Sequence, residues 1–297
     1  MEKGNFAQAK SLLESPSANP HEVETLFLLG KIYYLSGDFD KAEDLLEKAT
    51  EVQPGSSDCF LWLGRALGRR AEQASPFKAP FLAKRAHRAF SAAVALNPNN
   101  LEARDDLLTY YLEAPGFLGG GKDKAIELAE QIKALHYCHY LKQSAQIYES
   151  EKSFEKAETS LQKAAEWKPA CLTGLLALAA YYQNNHQMSK ARATLLKAIQ
   201  FFPVSPAAHF ELGRFEVEAG GDLDRGQLEL DAFLSLHSQG EPYPFEGYYW
   251  LGKIHLALNQ PAEAIGEFER ALRDFPGHTL SMKGLAEARK RMNNPTR

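Results

Sequence analysis

The residues from Ala114 to Ala125, APGFLGGGKDKA, hold a pattern that could bind phosphate. Gly116, four residues, then Gly121 and Lys122 read G-x-x-x-x-G-K, one position short of a nucleotide-binding loop. Such a loop needs a buried strand before it, backbone N–H groups aimed at phosphate, and a Ser or Thr after the Lys to hold magnesium. Here Asp123 follows Lys122, and its carboxylate would repel phosphate. The preceding run, LEARDDLLTYYLEA, has the charge and spacing of an amphipathic helix rather than of a strand. No cofactor is expected.

A second cluster, HYCHY from His136 to Tyr140, packs two His and one Cys together. A zinc site wants four ligands with paired spacings such as C-x2-C, and no complementary cluster follows, so no metal is expected. The adjacent acids Asp105 and Asp106 point to different parts of a helix surface and read as solvated charge. No G-x-S-x-G, H-E-x-x-H or Cys–His nucleophile signature occurs, and the chain is not expected to be an enzyme.

The elements around these residues follow from composition and pattern. With 44% hydrophobic and 24% charged residues over 297 positions, the balance is that of a folded chain and not a disordered one. A net charge of −4 leaves no basic footprint for nucleic acid. No apolar run approaches the ~20 residues needed to cross a membrane, so no membrane insertion is expected. Cys59, Cys138 and Cys171 are odd in number and far apart, which argues against a disulfide framework. MEKGNFAQAK lacks the features of a signal peptide. The compartment stays open: cytoplasmic, or periplasmic if an upstream signal was removed.

The chain repeats. VETLFLLGKIYYLSGDFDKAEDLLEKATEVQP, Val23 to Pro54, aligns with FEGYYWLGKIHLALNQPAEAIGEFERALRDFP, Phe245 to Pro276. The shared columns are Leu29, Gly30, Tyr33, Ala42, Leu46, Ala49 and Pro54 in the first. In the second they are Leu251, Gly252, His255, Ala264, Phe268, Ala271 and Pro276. The pattern returns at Ala157, Leu161, Ala164 and Pro169, at Ala191, Leu195, Ala198 and Pro203, and at Leu63, Gly64, Ala86, Phe90, Ala93 and Pro98. These columns resemble the tetratricopeptide repeat, W-x2-L-G-x2-Y … A-x3-F … P with a 34-residue period.

The resemblance implies an all-α fold, a right-handed superhelical solenoid of stacked antiparallel helix pairs running through residues 1–297. The phasing gives a half repeat over 3–20, full repeats over 23–56, 57–100, 101–137, 138–171, 172–205, 206–244 and 245–278, and a cap helix over 279–292. Gly30, Gly64, Gly213 and Gly252 would leave room where the two helices of a repeat cross, and the Ala columns would do the same from the second helix. Each Pro would end a second helix.

Three repeats depart from the period. Gly64 to Ala86 spans 22 residues where Gly30 to Ala42 spans 12, which places ten extra residues around RRAEQASPFKAP. Five more enlarge the turn at APGFLGGGKDKA, where Gly119 to Gly121 would supply positive backbone angles. That loop resembles Ala-Pro-Gly … Gly-Gly-Gly loops of bacterial members of the family, a sign of kinship and not of activity. EAGGDLDRGQLELDAF carries one extra residue, and Gly226 stands where other copies have Ala.

In such solenoids the first helices line the concave binding face. The register projects Phe27, Lys31 and Tyr34, then Trp62, Arg65 and Arg69, then Asp105, Asp106 and Thr109, then Lys142, Gln143 and Gln146 onto it. Phe210, Glu211 and Arg214 follow, then Tyr249, Trp250 and Lys253. The expected partner-binding residues are Phe27, Lys31, Tyr34, Trp62, Arg65, Arg69, Tyr249, Trp250 and Lys253. Phe27, Tyr34, Trp62 and Arg65 should form an exposed aromatic pocket with a cationic edge, and Leu63 should point into the stack.

Chaperone-binding relatives clamp a peptide's C-terminal carboxylate with Lys, Asn and Arg. Phe27, Lys31, Trp62, Glu102 and Asp106 occupy those positions here, so no carboxylate clamp is expected. The implied function is a non-catalytic scaffold gripping a peptide or partner helix. The alternative is a regulatory or targeting module of a larger enzyme or exported assembly. The half repeat at the start offers a surface for self-association.

Overall fold

The computed structural model describes residues 22–237 and 242–293. The expected half repeat over 3–20 lies outside the described residues. Fifteen α-helices and no strand are present among them, so the fold is all-α. The described chain falls into two compact units that divide between Ala164 and Ala165.

The first unit holds α1 (Val23–Leu35), α2 (Phe39–Val52), α3 (Ser57–Gln73), α4 (Ala79–Leu96), α5 (Leu101–Glu113), α6 (Lys122–Glu130), α7 (Tyr137–Ser150) and nearly all of α8 (Phe154–Ala165). Its helices pack as successive hairpins, with α1 on α2, α3 on α4 and α5 on α6. The odd-numbered helices α1, α3, α5 and α7 also touch their neighbours in turn, which creates one continuous face. The second unit holds α9 (Leu172–Asn184), α10 (Met188–Phe201), α11 (Pro206–Glu218), α12 (Leu223–Leu236), α13 (Pro244–Ala257), α14 (Pro261–Asp274) and α15 (Thr279–Asn293). There α9, α11, α13 and α15 lie side by side.

Short polar residues start the helices by accepting a backbone N–H that the first turn leaves without a partner. Asp38 accepts from Lys41, Ser56 from Cys59, Asn100 from Ala103, Ser205 from Ala208 and Asp222 from Arg225. The repeat prolines stop them: Pro54, Pro98, Pro203 and Pro276 each follow the end of a second helix by two residues. Between the paired helices the glycine column is a true close approach. A Cβ added at Gly30 would sit 2.6 Å from Leu46, at Gly64 2.5 Å from Phe90, and at Gly252 2.6 Å from Phe268. The matching Ala42, Ala86 and Ala264 are buried from the other side.

The ten inserted residues of the second repeat do not form a surface loop. They lengthen α3 and α4 to 17 and 18 residues, against 13 and 14 for α1 and α2, and only two enlarge the turn. The five of the third repeat do enlarge the turn between α5 and α6, which contains a single 3-10 turn, Gly116–Leu118. Gly226 has a steric reason. Glu216 is buried in the hairpin, and a Cβ at Gly226 would come 3.2 Å from its Cβ. The Glu216 carboxylate accepts from Arg192 Nε at 2.5 Å and from the Asp222 N–H at 3.0 Å, which fixes the turn after α11.

Cysteine usage is a correction. Cys138 and Cys171 are disulfide-bonded, and Cys59 is a buried free thiol whose pKa burial raises. Count and spacing hid this, since separation along the chain does not report what the fold brings near a thiol.

Candidate functional site

The glycine loop is an interhelical turn, with helix α5 where a phosphate loop would need a strand. Gly119 adopts a left-handed φ of 101°, as expected of a turn glycine. Gly120 does not share it. It is glycine for space, since an added Cβ would meet the Ala114 carbonyl oxygen at 1.8 Å. The Tyr110 hydroxyl donates to the Leu118 carbonyl at 2.8 Å, and the Gly121 N–H donates to the Tyr111 carbonyl at 2.8 Å. Lys122 pairs with Glu151 at 2.8 Å, and Lys124 donates to the Gly119 carbonyl at 2.8 Å. The loop's lysines thus hold the turn and its neighbour.

In HYCHY, His139 Nε2 contacts the Asp105 carboxylate at 2.8 Å, while His136 starts α7 and lies 3.4 Å from Asn99. No group of three or more residues able to hold a metal occurs among the described residues.

The continuous face of α1, α3, α5 and α7 carries the richest arrangement of side chains. Trp62 lies at its floor and is 5% exposed. Tyr34 meets its ring edge-on at 5.4 Å, Lys31 Nζ sits 4.3 Å from the ring centroid, and the Arg65 guanidinium sits 4.8 Å from it. The expectation of Trp62 as an exposed anchor is therefore corrected. The two cations lie across the ring by cation–π attraction and cover it. Leu63 is buried, as expected. Phe27 and Tyr34 remain half-buried, Lys31 approaches the Phe27 ring at 5.6 Å, and burial raises the Tyr34 pKa.

Arg65 is no bare cationic edge either. It donates to Asp106 at 2.6 Å and to Glu102 at 3.0 Å. Arg69 pairs with Glu72 at 2.5 Å. The acids expected to be solvated are recruited in opposite directions, Asp106 back to α3 and Asp105 forward to α7. Asp105 accepts from Lys142 at 2.6 Å and from Gln143 at 3.0 Å, besides its contact with His139. Burial works against the Asp105 charge, but His139 and Lys142 outweigh it and hold the carboxyl below its usual range. For Asp106 burial prevails over Arg65 and pushes the carboxyl up. Gln146 donates to Thr109 at 2.8 Å, whereas Gln143, expected on the open face, is fully buried.

In the second unit Phe210 is also buried, stacked edge-on against Phe233 at 5.1 Å. Arg214 bridges Glu211 at 2.6 Å and Glu218 at 2.5 Å. Tyr249 and Trp250 are half-buried and meet edge-on at 5.1 Å, but they lean apart. Trp250 packs against the cluster of Phe210, Leu230, Phe233, Leu251 and Ile254, and Tyr249 meets Phe268 and His278. His278, enclosed by Phe245, Tyr249 and Phe275, has its pKa lowered to about 4 by burial. Lys253 lies a turn beyond Tyr249 on α13, half-buried.

No helix among the described residues is long and apolar enough to cross a membrane. No curated protein matches the chain. Among solved structures, yeast Tom70 is similar with a TM-score of 0.55 and 14% identity, over 97% of this chain and 62% of that one. A monomeric mutant of IFIT1, solved with Gppp-AAAA, is similar with a TM-score of 0.51 and 16% identity, over 98% of this chain and 68% of that one. A tetratricopeptide repeat protein from Parabacteroides merdae gives a TM-score of 0.47 and 15% identity, over 90% and 98%. At such identities the likeness to the first two speaks to the fold alone. Family models of the tetratricopeptide repeat match residues 1–60, 142–171 and 245–278. With the helix pairs, the Gly–Leu and Gly–Phe crossings and these matches in register, the chain is a tetratricopeptide repeat protein.

Proposed function

We propose that this chain is a protein-interaction scaffold that holds an extended peptide or a partner helix on the face formed by α1, α3, α5 and α7. The observation that carries the reading is the fixing of that face by side chains from successive repeats. Lys31 and Arg65 meet over Trp62, Arg65 reaches Asp106, and Asp105 reaches Lys142. A surface ordered before binding loses less side-chain freedom when a partner arrives. The half-buried Phe27, Lys31 and Tyr34 are the groups on offer at its first end, with Trp62 as their support and Arg65 and Arg69 as polar rim. In the second unit Tyr249, Trp250 and Lys253 make a separate candidate face. No step of this reading calls on catalysis, a cofactor or a metal.

The test uses a displayed peptide library selected against the full chain. A selected peptide should bind a Lys31→Ala, Tyr34→Ala variant at least about tenfold more weakly, as loss of hot-spot residues does. A Lys124→Ala variant, altered in the glycine loop, should bind like the parent. Equal binding of peptides to both variants and to the parent would remove this face from the reading.

A further inference from the structure

The glycine loop lies against α4, a second helix outside the face just described, and the turn of residues 74–78 leads into the same helix. The His87 ring stacks on Tyr110 at 5.0 Å and lies 3.0 Å from where a Gly119 Cβ would be, which seats the glycine loop against α4. Around this junction three phenylalanines stand in solvent: Phe77 is 96% exposed, Phe81 66% and Phe117 73%. Phe77 sits in the turn before α4, Phe117 in the glycine loop, and Phe81 on the first turn of α4.

The charge on the chain around Phe77 and Phe81 has one sign. From Gln73 to Leu101 the chain contains no Asp or Glu, although the net charge of the whole is −4. Phe81, Lys84 and Arg88 fall at i, i+3 and i+7, one stripe of the helix. Lys78, Lys84 and Arg88 are exposed, and none makes an ion pair among the described residues. Arg85 is the exception, since it is held by Glu43 and Glu47 from α2. Of the acids packed near α4, Glu43 and Glu47 are thus engaged, Glu72 pairs with Arg69, and Asp123 on the glycine loop is exposed.

We propose that this flank docks the protein on an anionic lipid surface, with Phe77, Phe81 and Phe117 entering the headgroup region and Lys78, Lys84 and Arg88 facing the lipid charge. Apolar side chains beside unpaired cations are the signature of interfacial binding. Two of the three rings project from turns rather than lining a concavity. A fluid interface accepts separate tips, whereas a folded acidic partner would need a matching cavity for each. No described helix crosses the bilayer, and the face of α1, α3, α5 and α7 stays open to a partner.

The test is flotation of the full chain with vesicles of phosphatidylcholine alone and of phosphatidylcholine mixed with phosphatidylglycerol. The parent should float with the mixed vesicles only, and less at high salt. Lys84→Ala with Arg88→Ala should weaken partitioning about 30-fold, as loss of two basic residues near an anionic surface predicts. Phe77→Ser with Phe117→Ser should weaken it by about tenfold or more. Both variants should melt with the parent, because the changed side chains are exposed. Failure of the parent to float, equal flotation with both vesicle types, or flotation untouched by either pair would overturn the proposal. So would retention of the parent by polyglutamate without flotation, which would assign the flank to an acidic polypeptide.

Discussion

Trp62→Ala tests whether the ring is the floor of the face or part of its offer. In the folded chain the indole is 5% exposed, flanked by Tyr34 and covered by Lys31 and Arg65. Truncating a buried Phe or Trp costs ~3–5 kcal/mol. The two partly exposed cation–π contacts, ~0.5–1 kcal/mol each, are lost within that cost. The lower end of the range applies here, because the covering cations are flexible and can settle into the space, so ~3–4 kcal/mol is expected. For a chain of this size ~1 kcal/mol moves Tm by ~2–4 °C, giving a drop of ~6–16 °C in the unit that contains Trp62.

Thermal or urea melts followed by circular dichroism measure it, with Tyr34→Ala as the comparison. Tyr34 is half-buried and should cost well under half as much. In the parent, iodide should quench Trp62 poorly and Trp167, which is partly exposed, readily. A Trp62→Ala drop of less than about 3 °C, or ready quenching of Trp62, would refute the packing and return the ring to the open face.

Two further outcomes follow from local geometry. His278 is neutral in the fold down to about pH 4 but takes up a proton near its ordinary value of 6.5 when unfolded. Its lowered pKa therefore contributes stability that is present above 6.5 and lost as pH falls from there towards 4. The shift corresponds to ~3 kcal/mol, discounted to ~1–2 kcal/mol because water reaches part of the ring. Melts of parent and His278→Phe at neutral pH and near pH 4 should differ by that amount, and an imidazole NMR titration near 6.5 would sink the account. In the glycine loop, Gly120→Ala should cost ~1–3 kcal/mol by forcing the backbone apart at Ala114, while Gly116→Ala, with nothing within 4 Å, should melt with the parent. Equal melting of the two would show that the loop yields freely.

The hairpins were legible because their signals are local in kind. Gly30 against Leu46, Gly64 against Phe90, Gly213 against Leu230 and Gly252 against Phe268 repeat one steric demand, so a column of small residues announces the crossings before any coordinate is seen. The insertion of the second repeat was visible as a length but not as two longer helices. Ala79 to Leu96 contains good helix formers, and nothing in a count of residues separates an added helical turn from an added loop. Gly120 was legible as a glycine and misread as to reason, since spatial exclusion by Ala114 leaves the same letter as a positive φ.

The candidate face was the least legible, for a physical reason that Asp105 and Asp106 expose. Adjacent residues on a helix stand ~100° apart. One carboxylate can therefore meet the preceding first helix and the other the following one. Their partners, Arg65 and Lys142, are a full repeat or more away in sequence, beyond the reach of any i, i+4 rule. Register reads which side of a helix a residue occupies; it does not read depth. Trp62 shows the consequence, for it was expected to stand open and Lys31 and Arg65 instead close over it. Charges that look available in sequence are thus already paired across repeats, and a partner must work with what the pairing leaves. On this face those groups are the half-buried rings of Phe27 and Tyr34. Removing Arg65 would accordingly do two things at once, uncovering Trp62 and stranding the half-buried Asp106 carboxylate. Its effect on binding is interpretable only beside a variant such as Asp106→Asn that changes the carboxylate alone.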